Sequence, residues 1–186
     1  MRRHVSVFDI DCLKGGGDMP DLLIPEQEDL NYHDCLMKHG PTLHGIRIVP
    51  GTDPTLWKED WRNSERKDRI YRLIFCEGCG YYVGEAAYRK TEGTEANLWL
   101  LIDGDLRREG YGAAVLKKLA KMACESGIRT FAVCVYADHP NLDFFRKRGF
   151  QETDESEGVL TLKADTELLS RCRCHGTACS LHAQTE

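Results

Sequence analysis

Hydrophobic positions recur with two different periods along this chain, and the switch between them lays out its middle. Leu98-Trp99-Leu100-Leu101-Ile102 is a continuous apolar run of strand length. It turns through Asp103-Gly104-Asp105-Leu106 into Arg107-Arg108-Glu109-Gly110-Tyr111-Gly112. From Tyr111 to Ser126 the period becomes helical. Val115, Leu116, Leu119, Ala120 and Ala123 form the apolar stripe, Lys117, Lys118 and Lys121 face water, and Gly127 ends the helix. Thr130 to Val135 is again near-continuously apolar, as in a strand buried on both faces. Pro140 to Arg148 reads as a short helix closed by Gly149 and followed by Phe150. Strand, glycine-rich turn, helix and strand make a βαβ unit with an anion site at the helix start.

The flanks are less regular. Glu26 to His39 reads as a helix carrying Leu30, Leu36 and Met37, and Ile46-Arg47-Ile48-Val49 alternates like a half-buried strand. Thr52-Asp53-Pro54 signals a helix start, with Trp57 and Trp61 on one face after it. Arg69 to Phe75 and Tyr81 to Tyr88 are strand-like runs around Cys76-Glu77-Gly78-Cys79-Gly80, a hairpin signal. Glu152 to Glu157 reads as an acidic turn region and Val159 to Lys163 as a last strand. This divides the chain into an N-terminal extension of uncertain structure (1–40), a domain over 41–165 and a cysteine-rich tail (166–186).

A length of 186 residues with 41% hydrophobic and 30% charged residues fits one soluble domain with a real core. A net charge of −5 argues against general nucleic-acid affinity, which needs a basic footprint. No apolar run approaches the ~18 residues of a membrane span, and Met1-Arg2-Arg3 has no apolar signal core behind it. The expectation is therefore a cytoplasmic monomer or homodimer with no nucleic-acid or membrane partner. Nine cysteines without an export signal suggest thiols or metal ligands rather than disulfides.

The chemistry concentrates at the turn. Gly110 and Gly112 let a ligand approach the backbone, and the amides of Arg108, Glu109, Gly110, Tyr111 and Gly112 precede a helix whose dipole favours an anion such as a pyrophosphate. Arg107 and Arg108 add positive charge. A dinucleotide-binding fold is the rival, supported by Asp138 after the second strand. It wants a third glycine, and position 115 is valine.

Arg107, Gly110 and Gly112 resemble the Arg/Gln-x-x-Gly-x-Gly/Ala turn of the GNAT superfamily of acyl-CoA-dependent N-acetyltransferases. Tyr136-Ala137-Asp138, Phe144-Phe145 and Gly149-Phe150 are similar to the second signature of its histone-acetyltransferase branch. The resemblance covers 98–150 closely and 46–163 in outline. It implies an α/β fold: a mixed, mostly antiparallel sheet with a central splayed parallel strand pair, flanked by helices. Acetyl-CoA would be the cosubstrate. Its pantetheine arm would lie along Leu101, Ile102 and Asp103, its pyrophosphate on Arg108 to Gly112 with Ala113 at the rim, and Asn141, Phe144 and Phe145 on its other side.

The implied reaction is direct attack of a primary amine on the thioester, with a general base taking the amine proton. The family's usual carboxylate position aligns with Ala96, one residue from Glu95. Glu95 is the expected base, with Glu85 and Asp103 as alternatives. Phe145 stands where many members have a proton-donating tyrosine, so the thiolate leaves unaided or another donor such as Tyr136 helps. The other class of function left open is a non-catalytic acyl-CoA-binding or regulatory module. Lys90, Glu92, Glu95 and the acidic 152–157 segment suggest a cationic acceptor, either a small molecule or a protein.

Cys76-x-x-Cys79 has the shape of a zinc knuckle, to which Cys172, Cys174, His175 and Cys179 could add ligands. The implied strand order puts the hairpin tip and the chain end at opposite ends of the sheet. This counts against structural zinc, and no metal ligand is assigned.

Overall fold

The computed structural model describes residues 20–52, 68–78 and 80–171. Its centre is a seven-stranded sheet in the order β1-β2-β3-β4-β5-β7-β6. The strands are β1 (Asp21–Leu23), β2 (Arg69–Cys76), β3 (Tyr81–Lys90), β4 (Glu95–Ile102), β5 (Thr130–Tyr136), β6 (Gln151–Ser156) and β7 (Val159–Asp165). All neighbours are antiparallel except β4 and β5, which are parallel and joined by the crossover helix α3 (Tyr111–Glu125). The other helices are α1 (Asn31–Lys38), α2 (Gly40–Leu43), α4 (Leu142–Arg146) and α5 (Thr166–Arg171), with 3-10 turns at Gln27–Leu30 and Gly104–Leu106. This is the mixed, mostly antiparallel α/β fold with a central parallel pair that was expected. Among the described residues no helix is long and apolar enough to cross a membrane.

The apolar stripe of α3 forms the main core. Val115, Leu116, Leu119, Ala120 and Ala123 are buried against Ile70, Ile74, Val83 and Ala86 of one half of the sheet and Phe131, Val133 and Leu162 of the other. Removing one such leucine or isoleucine side chain from water contributes about 1.5–3 kcal/mol. At the helix end Gly127 takes φ 78°, and the Ile128 amide returns to Ala123 O at 2.9 Å. The opposite face carries a smaller cluster of Tyr71, Leu73 and Ala87 with Tyr32, Tyr82 and Trp99 around it.

From residue 20 on, the N-terminal segment is described and adds a strand to the sheet. Several expected elements are corrected. Strand β1 pairs with β2, and Lys118, expected to face water, ion-pairs with Asp21 at 3.1 Å. Residues 46–49 form no strand. The acidic segment is mostly strand β6, with all six side chains exposed at the sheet edge. Its turn is at Glu157 and Gly158, whose φ of 52° and 75° suit a two-residue hairpin. Helix α5 begins at the expected start of the tail and buries Leu169 in the main core. Cys79, the tryptophans at 57 and 61, and the tail from 172 on lie outside the described residues.

Candidate active site

Strands β4 and β5 pair only from Glu95↔Thr130 to Asn97↔Ala132. Each then continues alone on this side. Strand β4 stays bonded to β3 as far as Gly84↔Ile102, and β5 to β7 as far as Tyr136↔Val159. The result is a wedge-shaped gap, open at the carboxyl ends of both strands. The Asp103–Gly110 turn and the start of α3 stand at its mouth on one side, and residues 137–141 on the other.

The turn is built by side chains that brace it from behind. Asp103 Oδ1 accepts from the Asp105 amide at 3.2 Å, and the Gly104 amide donates to Thr42 Oγ1 at 2.9 Å. Gly104 is required here, because a Cβ would overlap the backbone carbonyl of Pro41. Arg107 donates to Ile102 O at 3.3 Å and to the Thr42 carbonyl. Burial of this guanidinium lowers its pKa. Its hydrogen bonds go to backbone, so it shapes the turn. Arg108 takes φ 73° and Gly110 φ 90°, left-handed conformations of the kind from which anion-binding turns are built. Arg108 and Glu109 are exposed. The Ala113 amide is used within the chain, on Gly110 O at 3.1 Å. Tyr111 turns its hydroxyl inward to Cys76 Sγ at 3.4 Å.

Helix α4 closes the far side. The Phe144 ring would lie 3.3 Å from a Cβ at Gly112, so it packs directly on the helix start. Phe145 is buried, edge-on to Phe144 and Phe150 at 5.3 and 5.4 Å between centroids. It is a core residue with nothing to donate. The Asn141 amide donates to His139 Nδ1 at 3.2 Å. Tyr136 ends β5 with the Arg47 guanidinium 4.0 Å above its ring, and Arg47 grips both Asp138 oxygens at 2.8 and 2.9 Å. This exposed pair lowers the Asp138 pKa. It ties residues 46–49 to the gap's rim, the role they take in place of a strand.

His139 has its pKa lowered, first by burial and then by Arg107. Its folded value therefore lies below the ordinary 6.5. As pH falls through about 6.5 the unfolded chain takes up this proton first, so stability declines toward the folded value and then levels off for this group. Urea titrations at stepped pH should show a shallower acid decline in His139→Gln than in the wild type. Equal slopes would remove His139 from the account.

The carboxylates of the sheet divide sharply. Glu95 lies at the closed end of the gap, ion-paired with Lys163 at 2.6 Å and partly open to solvent. Six residues of extended strand, roughly 20 Å, separate it from Leu101. Glu85 is the cross-strand partner of Leu101 and is completely buried. Its Oε2 accepts from Tyr71 Oη at 2.7 Å, its Oε1 from Trp99 Nε1 at 2.7 Å, and His33 Nδ1 reaches both oxygens at 2.9 and 3.0 Å. Burying a carboxylate costs several kcal/mol unless donors surround it, and here three do. Asp103 sits at the gap's mouth, with His39 Nδ1 3.1 Å away, while His39 Nε2 faces Asp105 at 3.4 Å. These three form the group among the described residues with metal-ligand spacing. Each ring nitrogen of His39 faces a different carboxylate, so the imidazole bridges Asp103 and Asp105.

Cys76 is buried in the main core beneath α3, with its sulfur on Tyr111. The other residues of the knuckle expectation, Cys79, Cys172, Cys174, His175 and Cys179, lie outside the described residues. Sequence reasoning missed His33, Tyr71 and Trp99 around Glu85. Trp99 alone gave a signal, as the polar-tipped residue in an apolar strand.

The family model for the acetyltransferase (GNAT) family matches residues 41–150. Comparison with curated proteins finds no match. Among solved structures, the PaiA N-acetyltransferase from Thermoplasma acidophilum in complex with coenzyme A is 17% identical. It has a TM-score of 0.63, with 78% of this chain and 98% of that chain covered. An acetyltransferase from Thermus thermophilus is 22% identical, with a TM-score of 0.61 and 80% and 97% covered. A spermidine N-acetyltransferase from Vibrio cholerae, in complex with CoA and spermine, is 11% identical, with a TM-score of 0.62 and 81% and 98% covered.

Proposed function

Because this chain belongs to the acetyltransferase (GNAT) family, we propose that it moves an acetyl group from acetyl-CoA to a primary amine, with Glu85 as the general base. The observation that carries this is the gap. From Leu98 on, β4 presents a strand edge to it with no paired neighbour among the described residues. A chain bearing amides, such as pantetheine, can hydrogen-bond to such an edge. It would run past Leu101, Ile102 and Asp103 toward the turn. There the amides of Arg108 to Gly112 at the α3 N-terminus suit a pyrophosphate. Asn141 and Phe144 flank its other side, and Ala113 stands at the rim.

In this pose the thioester lies beside Leu101, one strand spacing from Glu85. The amine approaches on the face carrying α1, its lone pair attacks the carbonyl carbon, and Glu85 takes the proton directly or through a water. The C–S bond breaks and the electron pair leaves with sulfur. Glu95, although first choice from the sequence, is occupied by Lys163 and distant along the strand. Glu95→Gln is expected to leave kcat within about twofold and stability within ~1 kcal/mol, as for other half-exposed ion pairs. A large loss of kcat in that variant would restore Glu95 as the base. Tyr136 lies under Arg47, at the rim, and contributes shape rather than a proton.

Thiol release from acetyl-CoA, measured against spermine, tyramine and an Nα-blocked lysine peptide, tests the function. Amine-dependent turnover supports it. CoA binding with no turnover on any acceptor would favour the non-catalytic acyl-CoA module.

A further inference from the structure

Resting on this reading of the site, we infer that the Tyr32 hydroxyl is the hydrogen-bond donor to the negative charge that develops on the thioester, a role Phe145 cannot fill. Tyr32 lies in the first turn of α1, its ring 5.3 Å from that of Tyr82. Its hydroxyl oxygen is closed off from solvent and has no hydrogen-bond partner among the described residues. A buried O–H left in this way costs about 1–3 kcal/mol, and native structures keep few of them. An acceptor is wanted at this point that the described chain does not supply.

The surroundings of the hydroxyl locate that acceptor. Asp103 and Glu85 both act on the phenol electrostatically, together with Cys35 and Tyr82 and after burial as the largest effect, and all raise its pKa. The proton therefore stays on oxygen throughout the neutral range. Glu85 stands opposite Leu101, and the Asp103 amide is held on Val83 O at 3.0 Å. Tyr32 also packs on the cluster that holds Tyr71 and Trp99, the two residues that donate to Glu85, so it lies on the face of the sheet where that carboxylate stands opposite Leu101 of the stretch of β4 proposed to carry the thioester. The imidazoles that contact these carboxylates are His33, on Glu85, and His39, on Asp103.

The step balances without an outside reagent. The amine nitrogen forms the new C–N bond, its proton goes to Glu85, and the C–S electron pair goes to sulfur. Tyr32 keeps its own proton and only donates a hydrogen bond. A neutral donor already in place in a water-poor site stabilises developing charge strongly, because nothing has to reorient during the reaction.

Tyr32→Phe removes one atom and tests this. The variant is expected to lose about 100-fold in kcat, as for removal of one oxyanion donor. The KM for acetyl-CoA should change little, and the ratio to wild type should be constant across the neutral pH range. Its Tm should be unchanged or higher, since an unpartnered hydroxyl has gone. A merely structural hydroxyl would instead lower Tm and spare kcat. Tyr82→Phe, the same change on the neighbouring ring, is expected to keep kcat within about threefold. An active wild type with an unaffected Tyr32→Phe overturns this inference alone, as does an equal loss in both variants. A wild type without turnover on any amine overturns the function as well.

Discussion

Glu85→Gln is expected to lower kcat by about 10³-fold, the range of a lost general base, while leaving CoA binding nearly intact. Glutamine keeps the shape and one acceptor oxygen. The carboxamide nitrogen cannot accept from Trp99 Nε1, so the amide oxygen stays on Trp99, where Oε1 is now, and within reach of His33 Nδ1. The nitrogen then faces Tyr71, whose contact must reverse so that Oη accepts, and the fold should lose about 1–3 kcal/mol. Steady-state kinetics with urea unfolding separates the two effects. A variant that is folded, binds CoA and retains more than about a tenth of wild-type kcat would exclude Glu85 as the base.

Gly104→Ala should have the largest structural effect. The new methyl group would meet backbone, the Pro41 carbonyl, and backbone cannot swing aside as a side chain can. Helix α2 must lift from the turn, and with it go the Gly104 bond to Thr42 Oγ1 and the Arg107 bond to the Thr42 carbonyl. A destabilisation of about 3 kcal/mol follows from overpacking of this kind, a fall in Tm on the order of 10 °C for a chain of this size. Because the turn is also the proposed pyrophosphate site, CoA should raise the variant's Tm less than it raises the wild type's. A Tm within a few degrees of wild type would show that α2 docks loosely.

The parts of this fold legible in sequence are those where one local rule acts alone. The helix read over Tyr111–Ser126 is observed over Tyr111–Glu125, and the strand read over Thr130–Val135 runs one residue further, to Tyr136. Both have unbroken periodicity and glycine punctuation. Strand β6 escaped because its side chains, Gln151 to Ser156, are all exposed and carry no alternation. Its place at the sheet edge comes from the hairpin with β7. Residues 46–49 alternate correctly for a strand, yet Arg47 is committed across the chain to Tyr136 and Asp138. The glycine-rich turn before α3 was readable as a turn because its residues are contiguous. The Glu85 cluster was not, because its partners lie 14 residues away on either side and 52 residues away in α1. Only folding brings them together.

The short pairing of β4 with β5 has a consequence for how the molecule comes apart. The sheet is two ribbons, β1–β4 and β5–β7–β6, joined by three residue pairs and by the shared core under α3. Local opening should begin at that seam, each ribbon forming a cooperative unit of its own. A ligand lodged in the seam bridges the two units, so its binding energy becomes coupling between them. Slow amide exchange in β5 and β7 should then respond to occupancy on the β4 side, making the acyl donor a structural member of the sheet while it waits to react.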